Sequence, residues 1–165
     1  MLIVGLVLAA AAAAFHVFIF ALESLKWTEP ETRKIFGVAS EADAVTMKAL
    51  AFNQGFYNLF LALTALLGIG LTIVGFATVG LTLVFAGTGM MVAAALVLVL
   101  SDSTKVRAAA MQGTLPLLAI IATAIAVAIG WALLGSQSVA GEVTTRSRDW
   151  GVAAGTRLLG VPSLG

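Results

Sequence analysis

The sequence contains no cysteine and a single histidine. Disulfides, thiolate metal centres and cysteine nucleophiles are therefore excluded, and one histidine among sparse carboxylates offers no credible metal set. Charge is scarce as well: Asp, Glu, Lys and Arg make up 10% of the chain, against about 25% in an ordinary soluble domain. Between Ala49 and Ser101 there is no charged residue at all. A formal net charge of +1 gives no electrostatic footprint for nucleic acid. No nucleophile elbow, phosphate loop or metal motif occurs, and nothing in the residues calls for a cofactor.

Apolar residues fill the space that charge leaves. They make up 61% of the chain and fall in runs of the length a membrane span requires, roughly 20 residues. The expected architecture is all-α: a polytopic membrane protein folded as a four-transmembrane-helix bundle. The helices are expected at about residues 2–25, 42–68, 79–100 and 106–134. Met1 is followed directly by apolar residues without a basic stretch, and the run is too long for the core of a signal peptide, so the first helix is expected to be a retained span. Its alanines from Ala9 to Ala14 leave room for a close neighbour.

Loop one, from Lys26 to about Asp43, concentrates Lys26, Glu29, Glu31, Arg33, Lys34, Glu41 and Asp43. Trp27 is placed as an interfacial anchor, and Ser40 followed by Asp43 marks the start of the second helix. The uncharged stretch after Lys48 would be about 80 Å long as one helix, so it turns back once. The cluster Gly68, Gly70, Gly75 and Gly80 marks the region of that turn. The fourth helix contains Pro116. Residues 136–165 are more polar, and three readings stand for them: a disordered tail, a segment lying on the membrane through Trp150, Leu158 and Leu159, or residues left from expression cloning.

Loops one and three hold six of the nine basic residues, namely Lys26, Arg33, Lys34, Lys48, Lys105 and Arg107. The positive-inside rule places those loops in the cytoplasm and both termini outside a cell membrane. The three arginines of the tail, Arg146, Arg148 and Arg157, count against this orientation.

Polar side chains inside the spans mark the candidate site. Asn53, Gln54, Tyr57 and Asn58 fall within an arc of about 140° on one helix, and polar groups in a span are expected to face the bundle interior. His16 and Glu23 lie seven residues apart on the first helix, on one face. Counted from the loop-one side, His16, Asn53, Gln54 and Gln112 come to similar depths. Pro116 has no N–H for the carbonyl of Gln112, which leaves a backbone acceptor there. Gln54-Gly55 and Gln112-Gly113, each preceded by a lysine and followed by an apolar run, form a faint internal echo of a parallel repeat. The competing reading is that Asn and Gln act only as interhelical glue, and that Glu23 reaches the surface to pair with Lys26.

The pattern His16-x6-Glu23, then Trp27, Pro30, Arg33 and Phe36, then Asn53-Gln54-Gly55-x-Tyr57-Asn58, then Gln112 with Pro116, resembles the bacterial and fungal membrane proteins of the domain of unknown function 1304 family. The resemblance covers about residues 1–135 and implies a four-helix integral membrane domain without implying a reaction. The leading functional expectation is a polar pocket within the membrane, open towards loop one, that binds a small polar or amphipathic ligand. His16, Glu23, Asn53, Gln54, Tyr57, Asn58 and Gln112 would form it. Its partners would be the lipid bilayer and that ligand; translocation through so few spans would call for a homodimer. Two alternatives remain open: a membrane enzyme acting on a lipid or isoprenoid, with His16 or Glu23 as acid or base, and a structural or accessory membrane subunit.

Overall fold

The structure is a computed structural model that describes the backbone of residues 1–158 and the side chains of residues 1–136. Among the described residues every regular element is helical. Helix α1 (Leu2–Phe20) widens into a π-helical turn at Ala21–Leu25. A short helix α2 (Pro30–Phe36) follows, then α3 (Glu41–Ile73), α4 (Ala77–Ser101), a 3₁₀ turn (Ser103–Lys105) and α5 (Val106–Leu158). Four segments are long and apolar enough to cross a membrane: Leu2–Leu25, Glu41–Ile73, Ala77–Ser101 and Ser103–Ser136. This is an all-α bundle, compatible with a multi-pass membrane protein.

The chain divides into two compact units, Met1–Ala124 and Ile125–Gly165. In the second, the backbone stays helical to Leu158, so Gly135 does not end the helix. The remaining tail readings, including a surface role for Trp150, Leu158 and Leu159, concern side chains outside the described residues.

Packing in the first unit is built on small residues. The buried positions of α1 include Gly5, Ala9, Ala12, His16 and Ile19, a four-three-four-three spacing that keeps one seam against its neighbours. Ala12 and Ala13 meet Ala62 and Ala65 of α3 and Met91 of α4, while Ala9 meets Val84 of α4 and Ala119 of α5. Gly5 lies directly against Thr123. Large apolar side chains such as Ile3, Val7, Phe18, Phe60, Leu67, Val97 and Leu100 are exposed instead. Backbones approach closely, and the bulky side chains point outward.

The turn between α3 and α4 is shorter than the glycine cluster suggested. It occupies Val74–Phe76, with Gly75 at φ 98°. The N–H of Phe76 donates to the Leu71 carbonyl at 2.9 Å, the six-to-one bond that closes a helix on a left-handed glycine. Gly68 and Gly80 lie inside helices because those helices touch there: a Cβ on Gly68 would stand 2.6 Å from the Gly80 carbonyl oxygen.

Loop one is itself folded. Trp27 is buried, its indole N–H donates to the Ala44 carbonyl at 2.9 Å, and its ring lies 5.3 Å from that of Phe36. The expected interfacial anchor is instead the pin that holds loop one on the first turns of α3. Those turns have length to spare: 33 residues make a helix of about 50 Å, against a hydrocarbon layer of about 30 Å. Ser40 caps α3 by accepting the Asp43 N–H at 3.1 Å and donating its hydroxyl to the Asp43 carboxylate at 2.7 Å.

Candidate functional site

The polar stretch of α3 does not act as one face. Small residues decide its orientation. Ala44, Ala51, Gly55, Ala62 and Ala65 are buried and repeat at about half-heptad intervals, so they form the seam that meets α1 and α4. Asn58 lies on that seam and is half-buried. Asn53 and Tyr57 are two residues to either side of Gly55, hence about 160° from it around the helix. Both are exposed, as is Gln54, and Tyr57 retains 57% of its surface. The expectation that all four face the bundle interior is corrected accordingly: the close approach of backbones at Gly55 turns Asn53 and Tyr57 outward.

The inward member has a partner. The amide nitrogen of Asn58 donates to a carboxylate oxygen of Glu23 at 2.9 Å and to the Gln54 carbonyl at 3.2 Å. The next residue of α1, Ser24, donates its hydroxyl to the Phe52 carbonyl at 2.9 Å. Both contacts come from the π-helical turn, where the Lys26 N–H reaches back five residues to the Ala21 carbonyl at 3.1 Å. The wider turn brings Glu23 and Ser24 together onto α3, and single π turns of this kind recur at functional positions. Gly55 makes the contact possible. A Cβ there would run into the Ser24 hydroxyl and stand 3.2 Å from the Glu23 Cβ.

An aromatic column lies beside this junction. Phe56 meets Phe20 of α1 edge-on at 5.1 Å and continues to Phe52 at 4.9 Å and Phe60 at 6.1 Å. Lys26 pairs with Glu29 at 3.5 Å rather than with Glu23. Among the described residues, no cation lies within ion-pair distance of the Glu23 carboxylate.

His16 occupies a different layer. It is buried, its Nδ1 lies 2.9 Å from the Ala12 carbonyl, and its ring meets Phe15 edge-on at 6.2 Å. In the neutral ring that carbonyl takes the Nδ1 proton, leaving Nε2 as an acceptor. Seven residues separate His16 from Glu23, which puts it about 10 Å further along the axis. Gln112 is half-buried. It lies one turn from Leu115, which packs on the Ala12–Ala13–Met91 cluster, so it falls near the level of His16. Of the four residues expected at one depth, His16 and Gln112 fall at one level, whereas Asn53 and Gln54 precede Asn58 on α3 and so lie nearer loop one, on the Glu23 side of His16. Pro116 is buried inside α5, which runs through it as one continuous helix.

Ser24, Phe20 and Phe56 are the members of the site that residue type alone did not single out. Their signal was positional, since Ser24 adjoins Glu23 and Phe56 adjoins Gly55.

No curated protein and no solved structure matches the chain. One family model does match, over residues 10–124, and its description is "Protein of unknown function (DUF1304)". That span holds the Glu23–Asn58 junction, the π-helical turn, folded loop one, the seam of α1 from Ala12 onward and the seam of α3, and it ends where the first compact unit ends. With the match covering well over half of its length, the chain belongs to the DUF1304 family.

Proposed function

We propose that this protein is an integral, multi-pass membrane protein whose loop-one end binds the polar head of a small amphipathic ligand at the Glu23–Asn58 junction. Loops one and three face the cytoplasm in this reading, and the termini of the four-span domain face outward. The inside-out packing supports membrane insertion, because exposed Leu, Ile, Val and Phe around a core of Ala and Gly suit a hydrocarbon solvent.

One observation carries the ligand reading. The Glu23 carboxylate is half-buried, is held by a neutral amide, and has no cation within ion-pair distance among the described residues. A carboxylate offers about four acceptor positions, and Asn58 takes one. Intramembrane carboxylates are costly and ordinarily serve a partner. The head that suits it donates hydrogen bonds or carries positive charge, and the column of Phe20, Phe52, Phe56 and Phe60 receives the apolar part. Asn53, Gln54 and Tyr57, exposed nearby, contact the surrounding headgroup layer.

The test uses a long-chain primary ammonium amphiphile as the probe and thermal unfolding of the purified full chain as the readout. Dodecylammonium raises the melting temperature of the wild type, and Glu23→Gln loses most of that rise while unfolding normally without the probe. Equal rises in the two proteins overturn the assignment.

A further inference from the structure

We infer that the junction between the last turn of α2 and the start of α5 is a second site, one that binds a phosphate group carried by an anionic lipid, through Arg33 and Lys105. The Lys105 ammonium donates to the Phe36 carbonyl at 3.4 Å, a long bond that leaves its other donors uncommitted. Gly37, at φ 72°, leaves room for it: a Cβ there would stand 3.2 Å from the Lys105 Nζ. Arg33 is one turn back on the same short helix. Its carbonyl closes the helix by accepting the Val38 N–H at 2.9 Å, but its side chain is unmatched.

Among the described residues, two buried side-chain polar atoms lack a hydrogen-bond partner: Arg33 Nε and Thr123 Oγ1. Thr123 is a neutral hydroxyl pressed against Gly5. Arg33 Nε belongs to a permanent cation, and a buried charged donor without an acceptor is an expensive thing for a fold to keep. No described carboxylate lies within ion-pair distance of Arg33 or Lys105. Asp102 is the nearest acid in sequence to Lys105, and its carboxylate is engaged by the N–H and hydroxyl of Thr104.

Arg33 lies one turn before the Phe36 carbonyl that holds Lys105, and neither is in an ion pair among the described residues, so a guanidinium and an ammonium at one end of α2 form a donor set for a tetrahedral oxyanion. The border of the site favours a lipid over a free phosphate. Ile35 and Val106, adjoining the two cationic regions in the chain, are 62% and 59% exposed, and apolar surface next to paired cations suits a headgroup with its acyl chains. Basic pockets at the cytoplasmic ends of membrane helices take such headgroups. This site is independent of the Glu23–Asn58 reading.

The experiment compares retention of phosphatidylglycerol by the purified full chain with retention of phosphatidylcholine, by native mass spectrometry from mixed nanodiscs. Wild type retains phosphatidylglycerol preferentially. Arg33→Gln with Lys105→Met weakens that preference about 30-fold, the product expected for two basic groups near an anionic head. The charge-matched control, Lys34→Gln with Arg107→Gln, removes two exposed cations and keeps most of the preference. Melting temperatures in phosphatidylcholine alone check that both double variants fold. Stabilisation of wild type by inorganic phosphate, with no lipid preference, assigns the site to free phosphate and overturns the lipid source. Equal retention by wild type and the Arg33–Lys105 variant, or equal loss in both double variants, overturns the site itself.

Discussion

At the scale of single residues, Gly55 is the position on which the candidate site depends. Its missing side chain lets the π-helical turn of α1 touch α3, and through that contact Glu23 reaches Asn58 and Ser24 reaches the Phe52 carbonyl. Gly55→Ala is expected to cost about 1–3 kcal/mol, as overpacking of a close contact does. Gly89→Ala is the matched control. A Cβ there meets nothing within 4 Å, so the change is neutral or gains up to about 1 kcal/mol from helix propensity. Denaturant unfolding in detergent measures both, and equal effects would show that Gly55 is not a packing constraint. The sequence made Gly55 visible inside Asn53-Gln54-Gly55-Phe56-Tyr57-Asn58 but drew attention to its polar neighbours. Polarity inward is a weaker rule than small residues inward, because a polar side chain has alternatives and a closely packed backbone has none. Asn53, Gln54 and Tyr57 are exposed for that reason, while Asn58, on the seam, finds a carboxylate.

At the scale of elements, the helical type, the four long apolar helices and the two polar connections were legible in the charge pattern, and Ser40 was legible as a cap. The fold of loop one was not. Its sequence showed a concentration of charge and a Trp27 placed as an interfacial anchor, whereas Trp27 and Phe36 draw the loop onto the spare turns of α3 through one indole bond and one ring contact. The glycine cluster was ambiguous for a related reason. Glycine serves both turns and close helix contacts, and here only Gly75 turns the chain while Gly68 and Gly80 let α3 and α4 touch. The connection between α4 and α5 carries a pH-dependent element. Asp102 accepts the Thr104 hydroxyl at 2.6 Å and the Thr104 N–H at 2.9 Å. These bonds, with a smaller contribution from the charge of Lys105, hold its carboxyl below the usual carboxylate range. A folded value below the unfolded one, about 3.9 for aspartate, means the cap is fully formed above that pH and is lost as pH falls through the lower folded value. Hydrogen exchange at the Thr104 amide, corrected for its intrinsic rate, should show protection that is flat near neutrality and disappears in acid. Asp102→Ala should lack that protection throughout, and a wild-type profile without the acid step would rule out the cap.

At the scale of the whole molecule, the bundle reverses the usual distribution of bulk, with alanine and glycine at its seams and leucine, valine and phenylalanine on its outside. That arrangement gives α3 a direction as well as a length. Its first turns carry Glu41, Asp43 and Lys48 beneath folded loop one, and its last turns carry no charge before the tight turn at Gly75. A helix charged at one end and apolar at the other crosses with the charged end on the side that keeps its basic residues, which the positive-inside rule makes the cytoplasm. Both proposed sites depend on this sidedness: Glu23 and Asn58 lie at the loop-one end of the spans, and Arg33 and Lys105 would meet the anionic leaflet. The absence of cysteine makes the orientation directly measurable, since any introduced thiol is unique in the chain. Glu31 on α2 and Val74 in the turn after α3 are both exposed and, in the proposed orientation, stand on opposite sides of the membrane. In intact cells a membrane-impermeant maleimide should label Val74→Cys and leave Glu31→Cys unmodified, and permeabilisation should expose both. The reverse pattern would place loop one outside and remove the anionic leaflet from Arg33 and Lys105. Labelling of both in intact cells would mean that α3 does not cross at all.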